Sequence, residues 1–573
     1  MKLILYFLAV IIICWSMFNC PSFAADLPAN LEPGSIQQHE INILEEHKKE
    51  NQLLLEKKES EPEIDLEDLR YKKIAPIPGS SDKPMVLVNA INTTSSSVLP
   101  EQELNDIKAK YINKKMNIDD INAMLVEIND LYKKRNYITA KAILPPQTIK
   151  GGVLNIELIE GKIGKIVVKG NKFTRKSYIT DKFAQKHGDV FDVKQLEKDI
   201  INFNNNNDVK LKGKIKAGGE YSETDIYLNA YEPNPFHFVP TFDNTGRDSV
   251  GLLKGGIMLA NDSLLGYRDK LTLGTSLAQG TTGAYANYGF PLGNKGTKIN
   301  GLFSYNHIKI VEGDFQPLRV TGNSFIYGVN VSHPLVSNKR VKLNGDIGFN
   351  FKESTTFFDK YRTYDTPVRT LNTGLNAEIN DKYGVWHTGH NFVTGLEMLG
   401  GKQAFFKYEG SLYRVQKLPK GIIGLFKAST LLSPTDKLPS IEQHQVGGSS
   451  TVRGFSEGLL IGNNGYFTSM QIILPLPFLP ETFCKIPLRE TLKGELFVDH
   501  GAAYPYKPEG GSHTQYDYLT SAGLGLRINF SEYITGVVDW GFGFGSRESD
   551  QPIARLHFSL QANPLQLLKK ERI

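Results

Sequence analysis

From residue 236 to the end of the chain, apolar and polar residues alternate with a period of two, and no stretch carries the spacing of a helix. In VKLNGDIGFNF (341–351), Val341, Leu343, Ile347, Phe349 and Phe351 oppose Lys342, Asn344, Asp346 and Asn350. In SAGLGLRINF (521–530), Ala522, Leu524, Leu526, Ile528 and Phe530 oppose Ser521, Gly523, Gly525, Arg527 and Asn529. DKLTLGTSLAQ (269–279) and ITGVVDWGFGFG (534–545) repeat the pattern, with Asp539 on the small and polar side of the latter. Successive side chains of a strand point to opposite faces, so each segment has one apolar and one polar face. A soluble sandwich gives the same alternation, but it uses about 100 residues. Here some 340 residues continue without a helical break, and the polar faces still carry Lys, Asp and Arg, which suits a closed outer-membrane barrel. At about 20 residues per strand with its connection, that length predicts some 16 transmembrane strands.

The first part of the chain has a different texture. Lys2, the apolar run Leu3 to Phe18 and the small-residue site Ser22-Phe23-Ala24 have the layout of a secretory signal over residues 1–24. Within 25–59, the stretch 33–59 (PGSIQQHEINILEEHKKENQLLLEKKE) reads as one polar helix with a thin apolar stripe of Ile36, Ile41, Ile43, Leu44 and Leu53 to Leu55. Residues 60–83, rich in charge and proline, read as a linker. Two similar units of β-α-α-β-β order follow, at 84–162, opening with the strand MVLVNAINTT, and at 163–233, with RKSYITDKFAQKH as first helix, before the barrel at 234–573. In the first unit, Asn117 and Asp119 are expected to cap the second helix, with Ile121, Met124, Leu125, Ile128 and Leu131 on its buried side. The fold class expected is therefore mainly β, with α+β modules ahead of the barrel.

Composition narrows the partners. The chain has 66 basic and 61 acidic residues, with no zinc-type Cys/His spacing and no basic, aromatic-laced patch, which argues against a metal or a nucleic-acid partner. No phosphate-binding loop is present either, and no cofactor is expected. Of the three cysteines, Cys14 and Cys20 leave with the signal, so the exported chain keeps Cys484 alone and forms no internal disulfide.

One stretch carries the chemistry, QVGGSSTVRGFSEGLL (445–460). Gly454 to Gly458 match the G-x-S-x-G pattern of a serine hydrolase around Ser456. A nucleophile elbow needs a helix after the serine, and EGLLIGNNGYF offers glycines and asparagines followed by another strand, so the match reads as chance. Arg453 is the stronger candidate, because an arginine inside a barrel keeps its charge and must find an acceptor. In GELFVDHGAAY (494–504), Glu495, Phe497, Asp499 and Gly501 share one face, which turns Asp499 to the lumen if Leu496 and Val498 face lipid.

LPSIEQHQVGGSSTVRGF together with FVDHG resembles the signature of two-partner secretion transporters, the hemolysin secretion/activation class. The resemblance implies a reentrant loop with the tip Val452, Arg453, Gly454 and Phe455. It pairs that arginine with the aspartate of an F-x-D-x-G strand, here Phe497, Asp499 and Gly501. Leu438, Pro439, Ser440, Glu442, Gln443, Gly447 and Gly448 match the stretch before the tip. It further implies two periplasmic POTRA units that capture one large unfolded exoprotein (an adhesin, cytolysin or contact-dependent toxin), secretion without nucleotide, and a helix that plugs the resting pore. Outer-membrane lipid and, during biogenesis, the barrel-assembly machinery are the other partners implied. One feature departs from the pattern: such barrels usually end on an aromatic residue, whereas this chain runs past RLHFSLQ to Ile573. Either the last strand ends near Phe558 with a short tail, or the assembly signal is atypical. An assembly or insertion factor of the same superfamily, an enzyme built on a barrel and a passive porin are the alternatives. The first usually carries three or more POTRA units, the second needs the failed elbow, and the third has no use for periplasmic modules.

Overall fold

The computed structural model describes residues 27–54, 64–65, 85–338, 340–482, 487–504, 518–530, 534–544 and 553–564. The expected signal, most of the expected linker, Leu55, Cys484 and Ile573 lie outside the described residues, as do the side chains of Leu53 and Leu54. No helix among the described residues is long and apolar enough to cross a membrane, so crossing falls to strands.

Sixteen antiparallel strands close into one barrel, as the strand spacing predicts. They are β1 (Phe236–Asp243), β2 (Lys254–Asn261), β3 (Lys270–Leu277), β4 (Thr281–Leu292), β5 (Thr297–Lys309), β6 (Val320–Ser337), β7 (Val341–Phe358) and β8 (Tyr361–Asp381). The second half comprises β9 (Gly384–Gly395), β10 (Phe405–Lys417), β11 (Ile423–Leu432), β12 (Asn464–Pro475), β13 (Leu492–Tyr504), β14 (Tyr518–Phe530), β15 (Ile534–Phe544) and β16 (Ala554–Ala562). Every strand pairs with its chain neighbour, and β16 closes on β1. The last strand thus runs four residues past Phe558. The alternation sorts as the pleat requires: Leu496 and Val498 are exposed on the outside of β13, while Phe497 and Asp499 are buried inside. Closure gives every strand a partner on both sides, as the hydrocarbon demands, where an orphaned backbone group is expensive, although the β1–β16 seam is short.

Inside the barrel lies α1 (Pro33–Leu54). Its polar faces are held by the inner wall: the Gly34 amide donates to Ser354 Oγ at 3.0 Å, Gln37 Nε2 to Ser304 Oγ at 2.8 Å, and Tyr413 donates to Glu46 at 2.5 Å. Its apolar stripe is short. Ile36 packs against Val250 and Ile308, Ile41 joins Ile326 and Ile441, and Leu44 remains exposed.

Two α+β modules precede the barrel. In the first, Asn117 closes a capping box on the helix Ile118–Lys134, its side chain accepting from the amides of Asp119 and Asp120 while Asp120 accepts from the Asn117 amide. Ile121, Met124, Leu125 and Ile128 fill the core from that helix. MVLVNAINTT, read as one strand, is divided: Val86–Val88 pairs with Lys114–Met116, and Ala90–Thr93 runs parallel to Val153–Ile156. In the second module the helix expected over RKSYITDKFAQKH is only Lys176–Thr180. Asp199 draws the following segment away by accepting from the Ala184 amide, and Lys186 Nζ takes the Thr180 carbonyl, so the backbone groups are satisfied without further helical turns. The helix Val193–Asn206 covers one face of the strands Lys162–Lys169, Lys210–Ala217 and Glu223–Tyr231. A short extended piece, Ile64–Asp65, lies parallel along the edge strand at Gly213 and Lys214.

Candidate functional site

Between β11 and β12 the chain folds back into the barrel. A 3-10 turn at Ser440–Glu442 is followed by a hairpin in which His444–Val446 pairs with Leu460–Gly462. The tip begins at Gly447 (φ 112°) and Gly448 (φ 105°), a backbone region that a side chain rarely accepts. Gly448 also lets the Glu457 carboxylate pass close enough to accept from the Ser449 amide at 2.7 Å.

Arg453 projects from this tip onto the inner wall. Its Nε lies 2.8 Å and its Nη2 2.9 Å from the two Asp499 oxygens, a bidentate fork, and its own amide donates to Asp499 at 3.2 Å. Nη1 reaches Glu495 at 2.8 Å and Asp539 at 3.1 Å. The guanidinium carbon sits 3.5 Å from the Phe497 ring centroid, a cation–π contact in a dry site. Ser469 Oγ donates to Asp499 at 2.6 Å, and Arg527 pairs with Glu495. Arg453 side-chain exposure is 3% and that of Asp499 and Glu495 is 0%. Two guanidiniums therefore face three carboxylates in a site nearly closed to water, and Arg453 is the one supplied by the loop.

The neighbouring residues make the seat fit. Val452 and Phe455 are fully buried with Val446, Phe467, Ala503 and Leu519. Gly501 gives them room, since a Cβ there would stand 2.9 Å from Val446 and 3.3 Å from Val452. Gly454 (φ 90°) lies on Gly541 so closely that a Cβ on Gly541 would be 2.6 Å from the Gly454 nitrogen, and one on Gly543 would be 2.5 Å from the Phe455 ring. The Gly454 amide donates to His557 at 3.2 Å.

The stretch before the tip is anchored as firmly. Glu442 receives Lys352 at 2.7 Å from β7 and Lys407 at 2.8 Å from β10. Leu438 and Gln443 both bond Asn463 Oδ1 at 3.1 Å, Ser440 meets Glu32, and Pro439 precedes the 3-10 turn that presents Glu442. The loop also grips α1: His39 Nε2 lies 2.9 Å from Glu457, Gln445 Nε2 donates to the Ser35 carbonyl at 3.0 Å, and Arg247 bonds both Gln445 and the Asn30 carbonyl.

Val452 and Arg453 thus meet Phe497, Asp499 and Gly501 of the partner strand, Gly454 and Phe455 rest on β15, and Leu438, Pro439, Ser440, Glu442 and Gln443 are held apart from them, by β7, β10, Glu32 and Asn463. Ser456 does not sit in a nucleophile elbow. No helix follows it; its hydroxyl donates to Asp248 at 2.8 Å and accepts from Arg555 at 2.6 Å. Sequence reasoning missed Glu495 and Asp539 as further partners of Arg453, the glycine seat on β15, and the ties from His39 and Arg247. The signal for the first two was present, since both occupy inward positions of the alternation.

The family model for the haemolysin secretion/activation proteins ShlB/FhaC/HecB matches residues 222–528, more than half of the chain. The chain belongs to this family. Ahead of that match, the ShlB-type POTRA model covers residues 86–161, and the model described as a surface antigen variable number repeat covers 161–207. The Haemophilus influenzae heme/hemopexin transporter protein HuxB is 25% identical over 484 residues, spanning 78% of this chain and 81% of HuxB. The outer membrane transporter CdiB of Dickeya dadantii is 24% identical over 489 residues, spanning 80% of this chain and 83% of its own. Among solved structures, CdiB from Escherichia coli superposes with a TM-score of 0.63 at 20% identity, covering 94% of this chain and 100% of that one. This member of the family is an outer-membrane two-partner secretion transporter, with its POTRA modules in the periplasm. Because β1 follows directly from the second module, the strand ends near Phe236 face the periplasm and the loop carrying Arg453 enters from the extracellular side.

Proposed function

We propose that the chain secretes one large exoprotein, received unfolded by the two POTRA modules and threaded through the barrel lumen without nucleotide hydrolysis. The observation that carries this reading is the lumen itself. α1 fills it, held by reversible polar contacts such as His39–Glu457 and Gln37–Ser304, and the inner wall is lined with Lys, Asn and Ser side chains. A helix fixed by hydrogen bonds can leave and return, whereas one fixed by a broad apolar face cannot do so cheaply. In this reading α1 is the resting plug, and Arg453, Asp499, Glu495 and Asp539 hold the loop beside it.

Capture through edge strands is supported by the parallel pairing of the chain's own Ile64–Asp65 with the Lys210–Ala217 edge. Backbone pairing of this kind needs little side-chain specificity, so it suits an unfolded client. The chain acts as a conduit and not as an enzyme, with outer-membrane lipid around it and the barrel-assembly machinery needed to insert it. Among the relatives, HuxB is named a heme/hemopexin transporter and HpmB of Proteus mirabilis a hemolysin transporter, and these names suggest a partner of one of those kinds. The test compares culture supernatants with and without this protein by mass spectrometry. Loss of one very large protein, restored by the native chain, supports the reading; an unchanged supernatant with many depleted outer-membrane proteins replaces it with an insertion factor.

A further inference from the structure

The barrel closes poorly at one place. β1 pairs with β2 along its whole length, but it registers with β16 only from Thr241 to Asp243, opposite Gln561 to Ser559. Toward the cell surface the strands no longer form a regular ladder, and side chains take over. Asn244 bonds β16 three times: its amide donates to the Phe558 carbonyl at 3.2 Å, its Nδ2 donates to the Leu556 carbonyl at 2.7 Å, and its Oδ1 accepts from the Phe558 amide at 2.7 Å. Beyond it, Asp248 in the loop after β1 meets Arg555 of β16 at 2.5 Å. Ser456 of the reentrant loop stands between these two, bonded to both. The loop after β1 is in turn packed on α1, through Val250 against Ile36.

We propose that Ser456 is a positioning residue that couples the reentrant loop to the seam between the first and last strands, so that the seam is fastened only while the loop is seated. Its hydroxyl bonds both sides of the seam, Asp248 after β1 and Arg555 of β16. The Asp248–Arg555 pair is bidentate and Arg555 is largely buried, but Asp248 is half exposed, so water competes for the carboxylate and weakens the pair. The bridging hydroxyl ties the pair to a loop whose own seat, around Arg453, is buried. Withdrawal of the loop therefore removes Ser456 and leaves the seam with three registered residues, Asn244 and a half-exposed pair. Departure of α1 weakens the same point from the other side by removing Ile36 from Val250. The inference rests on the loop being a moving part of the transporter, and its test reads the seam directly, so its failure is distinguishable from a failure to secrete.

The experiment is amide hydrogen exchange by mass spectrometry on the full chain in detergent, following segments 241–244 and 558–561 against a reference segment in β8. Exchange there reports how often the seam opens. Losing a bridging hydrogen bond should speed seam exchange about fivefold in Ser456→Ala, with β8 unchanged, while Ser456→Thr, which keeps the hydroxyl, stays at the native rate. Arg453→Ala, which unseats the loop, should speed the seam similarly and add nothing in a Ser456→Ala background. Native seam exchange in Ser456→Ala, equal acceleration in β8, or additive effects of Arg453→Ala and Ser456→Ala would each overturn the proposal. Should Ser456→Ala not fold, Arg555→Gln removes the other end of the bridge and is held to the same outcomes.

Discussion

Replacing Arg453 with alanine removes the one cation that the loop contributes to its own seat. Glu495 keeps Arg527, but Asp499 and Asp539 lose their guanidinium partner while remaining buried. Breaking a buried pair by deleting one partner costs about 3–5 kcal/mol, because the orphaned charge must be rehydrated or neutralised. The site can escape that cost by releasing the loop and admitting water, so the penalty falls on loop seating and not on the strand ladders. Asp499→Ala is the informative contrast. It takes away the bidentate fork, but Arg453 retains Glu495 and Asp539 and its stack on Phe497. Its cost is smaller, because two guanidiniums, Arg453 and Arg527, then face two carboxylates, Glu495 and Asp539, and no buried charge is orphaned. Loop position is read from labelling of a cysteine placed at Thr451 in a Cys484→Ser background, and barrel integrity from heat-modifiable migration on gels. Both variants should migrate as folded barrels. Arg453→Ala should expose the Thr451 site and lower secretion strongly, and Asp499→Ala should do so more weakly. A folded Arg453→Ala protein with a protected loop and native secretion would refute the reasoning, and so would an Asp499→Ala defect larger than that of Arg453→Ala.

Three further expectations concern the surroundings of the site. Gly543→Ala places a methyl 2.5 Å from the Phe455 ring, so loop labelling should rise as in Arg453→Ala, at an overpacking cost of about 1–3 kcal/mol. His39→Ala deletes the buried contact with Glu457 and should loosen α1 in the lumen, visible as a larger ion conductance in planar bilayers; native conductance would separate this contact from plugging. At the junction of the two POTRA modules, burial acts to raise the Glu160 pKa, but hydrogen bonds from Ser96, Ser97 and Tyr132 outweigh it and hold the carboxyl below its ordinary value. Ionised Glu160 thus stabilises this junction above the ordinary glutamate pKa, and that contribution is lost as pH falls through the lowered one. Amide exchange at Ser97 and Val98, relative to the intrinsic rate at each pH, should accelerate on the acid side of the ordinary glutamate range, a step that Glu160→Gln abolishes.

The barrel and the loop seat were legible in the sequence to different depths, and the reason is range. Alternation is a local property of every strand, so the number of strands and the inward direction of Asp499 follow from period and length alone. The pairing of Arg453 with Asp499 spans 46 residues and became legible only through a family signature. Glu495 and Asp539 lay on the correct faces, but alternation states a face and not a height along the barrel, so nothing local distinguished them from Arg527 as possible neighbours. His39 and Glu457 are 418 residues apart, on segments with no shared pattern, and their meeting depends on α1 entering a lumen that does not exist until the sheet closes. The same holds for the glycines of β15. Gly541 and Gly543 look like ordinary small residues of a strand, and become a seat only when the loop tip comes within a Cβ radius of them. Ser456 shows the hazard of reading motifs without range. Its G-x-S-x-G match is a local coincidence, whereas its bonds to Asp248 and Arg555, 208 and 99 residues away, join the two ends of the barrel. In a closed barrel the first and last strands are neighbours, so residues that fasten the fold are the ones a sequence places farthest apart.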